Sequence, residues 1–243
     1  MVTAAQIKLI RSLAQKKERE ACGLFVVEGE KMVAEAQRSG WAIEAVYRRE
    51  EVGEKAMERM SLLSSPSPVL ALVHIPDAVR AAPAPGPGLH LALDGIRDPG
   101  NLGTIVRIAD WFGIDRIYAS PDTADLFNPK VVQATMGALF RVRFHYEDIP
   151  ELCRRSLSAG GHVYGTFLDG ENLYGKKALS FGEETPSVIV IGNEAHGISA
   201  ETAAVVSDRL YIPPFPADDP GSESLNAAVA TAVTVAEFRR RQQ

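Results

Sequence analysis

The chain has 243 residues, room for one large or two modest domains, and its 46% hydrophobic and 23% charged content is that of an ordinary globular protein. The polar, basic start (Lys8, Arg11, Lys16, Lys17, Arg19) is not a signal-peptide core, no apolar run is long enough to span a bilayer, and Cys22 and Cys153 make no disulfide framework, so a cytoplasmic protein with no membrane partner is expected. The net charge of −5 weighs against a general nucleic-acid coating protein, although residues 1–80 carry 12 Lys and Arg against 11 Asp and Glu; local clusters at Lys16-Lys17 and Arg239-Arg240-Arg241 could touch phosphate or simply be solvated termini, and composition does not decide the partner.

In chain order, residues 3–20 read as a polar amphipathic helix and 23–29 (GLFVVEG) as a short buried strand with a glycine at each end. Glu30 to Ser39 read as a helix stopped at Gly40, followed by strands at 42–48 and 68–75 with a charged helix over 50–60 between them. The run AAPAPGPG, Ala81 to Gly88, excludes both helix and paired strand and marks a linker between a small α/β domain (1–80) and a larger one (89–243). Beyond it the alternation is regular. Strands are expected at 89–96, 115–120, 140–146, 162–168, 187–194 and 209–213, with helices over 101–112, 130–138 and 150–158. Strands alternating with helices imply a parallel, doubly wound sheet, whose ligands sit in loops beyond the strands' carboxyl ends.

The unusual residues follow those strands. In LDGIRDPGNLGTIVRIADWFG (93–113) a strand breaks at Asp98-Pro99-Gly100-Asn101 and a helix begins. Asn101 is placed to cap that helix, and Arg107 stands on a face that could simply be solvated; a glycine-rich turn into a helix can also hold an anion, and the sequence leaves these readings open. No GxGxxG or P-loop spacing is present, so a dinucleotide site is not supported. In VIVIGNEAHGIS (188–199) a hydrophobic strand ends at Gly192-Asn193-Glu194, with Gly197 just beyond. Two glycines let a ligand approach the backbone, and Glu194 is either a ligand-facing carboxylate or a charge set at a helix start. The five His and two Cys have no ligand spacing, so no metal site is expected.

The third unusual stretch, Ile212 to Arg241, runs from IPPFPADDPGSE through Ser224-Leu225-Asn226 into a segment of Ala, Val and Thr that carries no large side chain before Phe238. Ser224 and Asn226 are both good helix caps. A helix of small residues is expected where backbones approach closely, whether inside the subunit or at an interface.

Taken together and in this order, Asn101-(five residues)-Arg107, Gly192-Asn193-Glu194-Ala195-His196-Gly197, and Ile212-Pro213 with Ser224-Leu225-Asn226 resemble the motifs of the SpoU/TrmH-type RNA 2′-O-ribose methyltransferases of the SPOUT superfamily. The resemblance covers roughly residues 89–240, while residues 1–80, with GLFVVEGEKMVAEA, look like the small α/β substrate-binding domain found ahead of it in many members. It implies a parallel sheet with an α/β trefoil knot, a rare exception to the rule against threaded chains, and a homodimer. The slender terminal helix is then one that passes beneath a loop. The implied methyl donor is S-adenosylmethionine, held largely by backbone near Gly192, Gly197, Ile212 and Leu225, with Thr166 or Leu168 close to the adenine. The implied acceptor is a ribose 2′-hydroxyl of RNA, ribosomal RNA being favoured over transfer RNA.

By the same resemblance Arg107, Glu194, Ser224, Asn226 and Asn101 form the catalytic set. A guanidinium is a poor base, so Arg107 suits holding the adjoining phosphate and stabilising charge on the ribose oxygen, with Glu194, Ser224 and Asn226 orienting Arg107 or the ribose and Asn101 supporting the loop. The stretch PFPADDPGSE, with Asp218, Asp219 and Glu223, is longer than the family's usual passage from Ile-Pro to Ser-Leu-Asn and sets acids beside the expected RNA path. The alternative is a non-catalytic RNA-binding or assembly protein on the same scaffold, against which the intact motif residues speak.

Overall fold

A computed structural model describes residues 2–79, 83–175, 179, 184–216 and 224–242, which divide into two compact units. The first comprises the chain up to Asp77 together with Asp125–Arg141. It holds α1 (Ala4–Ser12), α2 (Lys16–Cys22), β1 (Leu24–Glu28), α3 (Glu30–Arg38), β2 (Ile43–Arg48), α4 (Arg49–Val52), α5 (Glu54–Met60) and β3 (Val69–His74). The three strands form an antiparallel sheet in the order β1-β3-β2.

Every residue of β1 is buried, which in a strand requires cover on both faces. Leu24 and Val26 belong to a core with Ile7, Ile10, Leu13, Met57, Met60, Leu70 and Leu72. Phe25, on the opposite face, meets Phe127 with ring centroids 4.7 Å apart and Trp41 at 6.1 Å, while Trp41 meets Phe140 edge-on at 5.2 Å. The stretch 125–141, which carries the helix Pro129–Thr135 (α7), therefore supplies aromatic cover to this unit.

Two helices expected as continuous are broken. The one expected over 3–20 stops at Ser12 and restarts at Lys16, because the buried Arg19 donates Nη1 to the carbonyls of Leu13 (2.7 Å) and Ala14 (2.9 Å) and takes them out of a helical ladder. Arg19 also donates Nε to Asp125 at 3.0 Å, so its buried charge is paired. The helix expected over 50–60 is interrupted at Gly53, whose φ of +86° is a glycine conformation.

The second unit holds β4 (Gly88–Asp94), α6 (Pro99–Trp111), β5 (Arg116–Ala119), β6 (Phe144–Tyr146), α8 (Ile149–Ser158), β7 (His162–Asn172), β8 (Pro186–Gly192), α9 (Ala200–Ala203), β9 (Asp208–Tyr211) and α10 (Ala227–Arg240). Six strands run in the order β6-β5-β4-β8-β7-β9, and every neighbouring pair is parallel. The central strands β4 and β8 are buried along almost their whole length, as a sheet covered on both faces demands.

The strand expected over 140–146 begins only at Phe144. Residues Ala138–Phe140 form a 3-10 turn with Phe140 in the first unit's aromatic cluster, so the alternation of FRVRFHY serves two separate cores. The helix expected over 130–138 stops at Thr135, where Met136 (φ +52°) and Gly137 (φ +93°) turn left-handed.

The order of strands fixes where a ligand goes. From β4 the chain steps outward through β5 and β6, whereas β7, β8 and β9 lie on its other side, so the direction of winding reverses between β4 and β8. The crevice beyond the carboxyl ends of those two strands, at the paired residues Asp94 and Gly192, is the switch point at which such sheets bind ligands.

Candidate active site

Two of the sequence motifs leave the sheet at this switch point. After β4, Gly95 turns the chain with φ +74°; its N–H donates to Ser120 Oγ (2.9 Å) beyond β5, and its carbonyl accepts from Asn193 Nδ2 (2.8 Å) beyond β8. One glycine thus ties together the loops after three adjacent strands. Ser120 also donates to Asp122 (2.7 Å), and Asp122 pairs with Arg97 at 2.9 Å, contacts that hold the Asp122 carboxyl below its ordinary range, the Ser120 hydroxyl first and the guanidinium after it.

Helix α6 begins at Pro99, two residues before the expected start, and its cap is Asp98, which accepts from the Asn101 N–H at 2.8 Å. The proline's fixed φ suits the first helical position. Asn101 is therefore not the cap. It sits inside the first turn with its side-chain amide free for other partners.

After β8, Asn193 closes a tight loop: its N–H donates to the Gly197 carbonyl (2.9 Å), Gly197 N–H returns a bond to the Asn193 carbonyl (2.8 Å), and Asn193 Oδ1 accepts from the N–H groups of Ala195 (2.9 Å) and His196 (3.2 Å). A side chain at Gly192 would have its Cβ 2.3 Å from the Gly197 carbonyl carbon and the Ile198 nitrogen, so only glycine allows this closure. Ser199 N–H then binds Asp94 Oδ2 at 2.8 Å and fastens the loop to the end of β4.

Three side chains far apart in sequence meet here. Asn226 caps α10, its Oδ1 accepting from Ala228 N–H (3.0 Å) and Val229 N–H (3.3 Å). The cap fixes the oxygen inward, so the Asn226 amide group points out and donates to Asn101 Oδ1 at 2.9 Å. That in turn leaves the Asn101 amide group to donate to the Glu194 carboxylate. The donor chain Asn226–Asn101–Glu194 joins all three sequence motifs and ends on a carboxylate.

The other expected residues fall around this chain without joining it. Arg107 is exposed, about 9 Å further along α6 than Asn101, and makes no hydrogen bond or ion pair with another described residue. It shares one exposed face with Gly100, Thr104 and Trp111, the last 84% exposed. Ser224 is exposed just ahead of Asn226 and is not the cap of α10. Leu225 is 47% exposed. Thr166 lies on β7, beside β8, and donates Oγ1 to the Val190 carbonyl at 3.2 Å; Leu168, two residues on, is 68% exposed, and Ile212 directly follows β9. Asp218, Asp219 and Glu223 of the acidic stretch lie outside the described residues.

The basic tail is engaged within its own unit. Arg239 Nε donates to the Phe112 carbonyl at the end of α6 (2.7 Å), Arg240 and Arg241 both pair with Glu237, and Arg241 Nη2 donates to the Leu173 carbonyl at 2.8 Å. The Glu237 carboxyl is pulled down to about 2, first by the hydrogen bonds from Arg240 and then by those from Arg241. These arginines bind α10 to its own unit.

The sequence profile of the SpoU rRNA Methylase family matches residues 88–236. The chain belongs to that family. A second profile, the MRM3-like substrate binding domain, matches residues 4–71 ahead of the SpoU region. Among relatives of this SpoU chain, the Bacillus subtilis 23S rRNA (guanosine(2553)-2′-O)-methyltransferase RlmP is 28% identical, over 96% of each chain. A mitochondrial rRNA methyltransferase 3 from Mus musculus is 27% identical over 92% of this chain and 69% of its own. A TrmH-family putative RNA methyltransferase from Porphyromonas gingivalis superposes with a TM-score of 0.87 at 38% identity over 99% of both chains, and an S-adenosylmethionine-bound rRNA methyltransferase from Sinorhizobium meliloti with 0.85 at 30% identity, over 100% of this chain and 98% of that one.

In the SpoU chain described here, the residues at the switch point fit that methyl donor. Gly192 leaves bare backbone where an added side chain would collide, and Gly197 turns the chain with φ +70°, which suits a ligand held by main-chain groups. Sequence reasoning gave no role to Asp98, Gly95, Ser120 or Asn193. Asp98 was visible as a capping residue directly before a proline; the others act through pairings between strands that no sequence pattern displays.

Proposed function

We propose that this protein methylates the 2′-hydroxyl of a ribose in ribosomal RNA with S-adenosylmethionine as donor. The observation that carries the reading is the donor chain Asn226–Asn101–Glu194, which gathers three motifs at the switch point of a parallel sheet. A protein that only bound RNA would need no such convergence. Ribosomal RNA is favoured because the B. subtilis relative, which matches 96% of the chain, is named for 23S rRNA, whereas a solved structure concerned with 2-OH methylation of C/U34 on tRNA covers 65% of this chain with a TM-score of 0.53.

Bound near Gly192, Gly197, Ile212 and Leu225, with Thr166 and Leu168 toward the adenine, S-adenosylmethionine supplies an electrophilic methyl group. The chain's own residues prepare the acceptor. Arg107, exposed and without a partner among the described residues, is available to hold the phosphate beside the target ribose and to stabilise charge developing on its oxygen. Glu194, oriented by Asn101 and through it by Asn226, positions Arg107 or the ribose hydroxyl; Ser224, next to the cap, assists.

The first unit serves as the RNA substrate-binding domain, a reading supported by the profile match over residues 4–71. The chain works as a homodimer, for which the apolar surface on two packed helices speaks: Trp111 of α6 is 84% exposed and Val229 of α10 is 48% exposed. The carboxyl-terminal segment threads as a trefoil knot, which explains an α10 whose buried positions are mostly Ala, Thr and Val until Phe238 packs edge-on against Tyr164 with centroids 5.0 Å apart. The protein acts in the cytoplasm, where the unpaired Cys22 and Cys153 remain thiols.

The test is chemical. A 2′-O-methyl group removes the nucleophile that cleaves RNA in alkali, so methylated product should yield one alkali-resistant dinucleotide after exhaustive hydrolysis. Label recovered only in single nucleotides carrying base methylation would contradict the assignment.

A further inference from the structure

Strand β7 is the longest in the sheet, and its pairing with β9 is broken in an unusual way. Thr166 and Glu171 both stand opposite Leu210, so residues 167–170 are pushed out of the ladder as a four-residue bulge. The bulge is gripped by one residue of β9. The Arg209 guanidinium lies 3.5 Å from the centroid of the Phe167 ring, and Arg209 Nη2 meets Asp169 Oδ1 at 2.5 Å. Gly170 presses on the same residue's backbone: a Cβ there would lie 2.8 Å from the Arg209 carbonyl oxygen. The Phe167 ring also folds against Gly165, where a Cβ would stand 2.5 Å from Phe167 Cε2.

Between the anchored Phe167 and Asp169 stands Leu168, 68% exposed. β7 lies between β8 and β9, and its ladder with β8 ends at Gly165↔Val190, two residues short of Gly192, so the bulge follows directly at the carboxyl ends of the strands. A bulge that merely blunted a sheet edge would need only the exposed charge of Asp169 and no apolar side chain held in water beside it. The Arg209–Asp169 pair, 43% and 82% exposed, is also a weak reason to build one for stability alone.

We propose that Phe167, Arg209 and Asp169 form a clasp that holds Leu168 as the apolar wall of the adenine subsite. Arg209 is then a positioning residue that touches neither methyl group nor RNA. The aromatic face and the ion pair act together: stacking fixes the guanidinium plane, and Asp169 fixes its rotation. This rests on the methyltransferase reading above, which supplies the adenine.

The experiment titrates S-adenosylhomocysteine and 5′-methylthioadenosine calorimetrically into the wild-type chain and into Arg209→Ala, Arg209→Lys and Phe167→Leu, with hydrogen exchange of residues 166–172 followed in parallel. Arg209→Ala and Phe167→Leu should weaken both ligands by the same factor, about five- to tenfold, with faster exchange confined to the bulge. Arg209→Lys, which keeps the charge and loses the planar stack, should fall between. Faster exchange with unchanged affinity would overturn the proposal, leaving the clasp a structural feature only. Loss of affinity for S-adenosylhomocysteine alone would overturn the adenine assignment and point to the amino-acid end. No binding of either ligand by the wild-type chain would overturn the methyltransferase reading and the clasp with it. Phe167→Leu keeps the test decisive if Arg209→Ala does not fold.

Discussion

Asn226 and Asn101, 125 residues apart, share a hydrogen bond of 2.9 Å in which Asn226 gives the amide and Asn101 the oxygen. The same Asn226 caps α10 with its own oxygen. One side chain therefore both starts the last helix and sets the direction of the donor chain that ends on Glu194.

The two duties separate by substitution. Asn226→Asp keeps the capping oxygen and loses the donor, whereas Asn226→Ala loses both and costs ~1 kcal/mol of stability as a lost cap. Methyl transfer should fall in each by about tenfold or more, the equivalent of ~1.4 kcal/mol at the transition state. Thermal melts alongside initial rates check the split: an aspartate variant of normal stability and normal activity would remove the donor chain from the mechanism.

Arg107 should be a residue whose loss is seen in rate and not in stability. It is exposed and makes no hydrogen bond or ion pair with another described residue, so Arg107→Ala should leave stability within ~0.5 kcal/mol. Turnover should fall by about 100- to 1,000-fold, the scale of one lost charge-stabilising donor. Arg107→Lys retains a point charge but not the planar fork, and should recover less than about a tenth of wild-type turnover. Near-normal turnover by the lysine variant would show that a point charge suffices.

Gly192→Ala tests the loop that follows β8. Its Cβ would lie 2.3 Å from backbone atoms of Gly197 and Ile198, and neither can swing aside as a side-chain tip could. The loop must open, at a cost of ~1–3 kcal/mol, and S-adenosylhomocysteine binding should be lost beyond the drop in stability. Calorimetry at a temperature where the variant is fully folded separates these effects; undiminished affinity would mean that the backbone of this loop does not hold the donor.

Glu237 gives a pH dependence with a defined sign. Its carboxyl drops from the ordinary 4.5 to about 2 beside Arg240 and Arg241, so its contribution to stability is complete above about 4.5 and is lost as pH falls through about 2. Wild type should exceed Glu237→Gln in stability at neutral pH, and the two acid-unfolding curves should converge near pH 2. A gap that persisted unchanged down to pH 2 would show that the carboxylate's charge is not what ties α10 down.

The sequence displayed the alternation of strands and helices from residue 89 onward because each buried strand is a run of apolar residues bounded by turns, as in β4 and β8. It also displayed Asn101, Glu194 and Asn226, polar or charged side chains that need a partner or water where they follow a buried strand or open a helix. Long-range pairing was not legible. Arg19 breaks a helix through carbonyls five and six residues back and pairs with Asp125, 106 positions on, and the alternating run 140–146 is divided between two units. Nor does anything in the sequence show that Glu237 and the carbonyls of Phe112 and Leu173 engage the arginines of the basic tail.

The most direct measurement supplies the purified chain with methyl-labelled S-adenosylmethionine and, in separate reactions, unmodified ribosomal RNA and unmodified transfer RNA, with Arg107→Ala as control. Label is expected in the ribosomal RNA, alkali-resistant, and absent with the variant. Label in neither RNA from a chain that binds S-adenosylhomocysteine, or equal label with Arg107→Ala, would contradict that expectation.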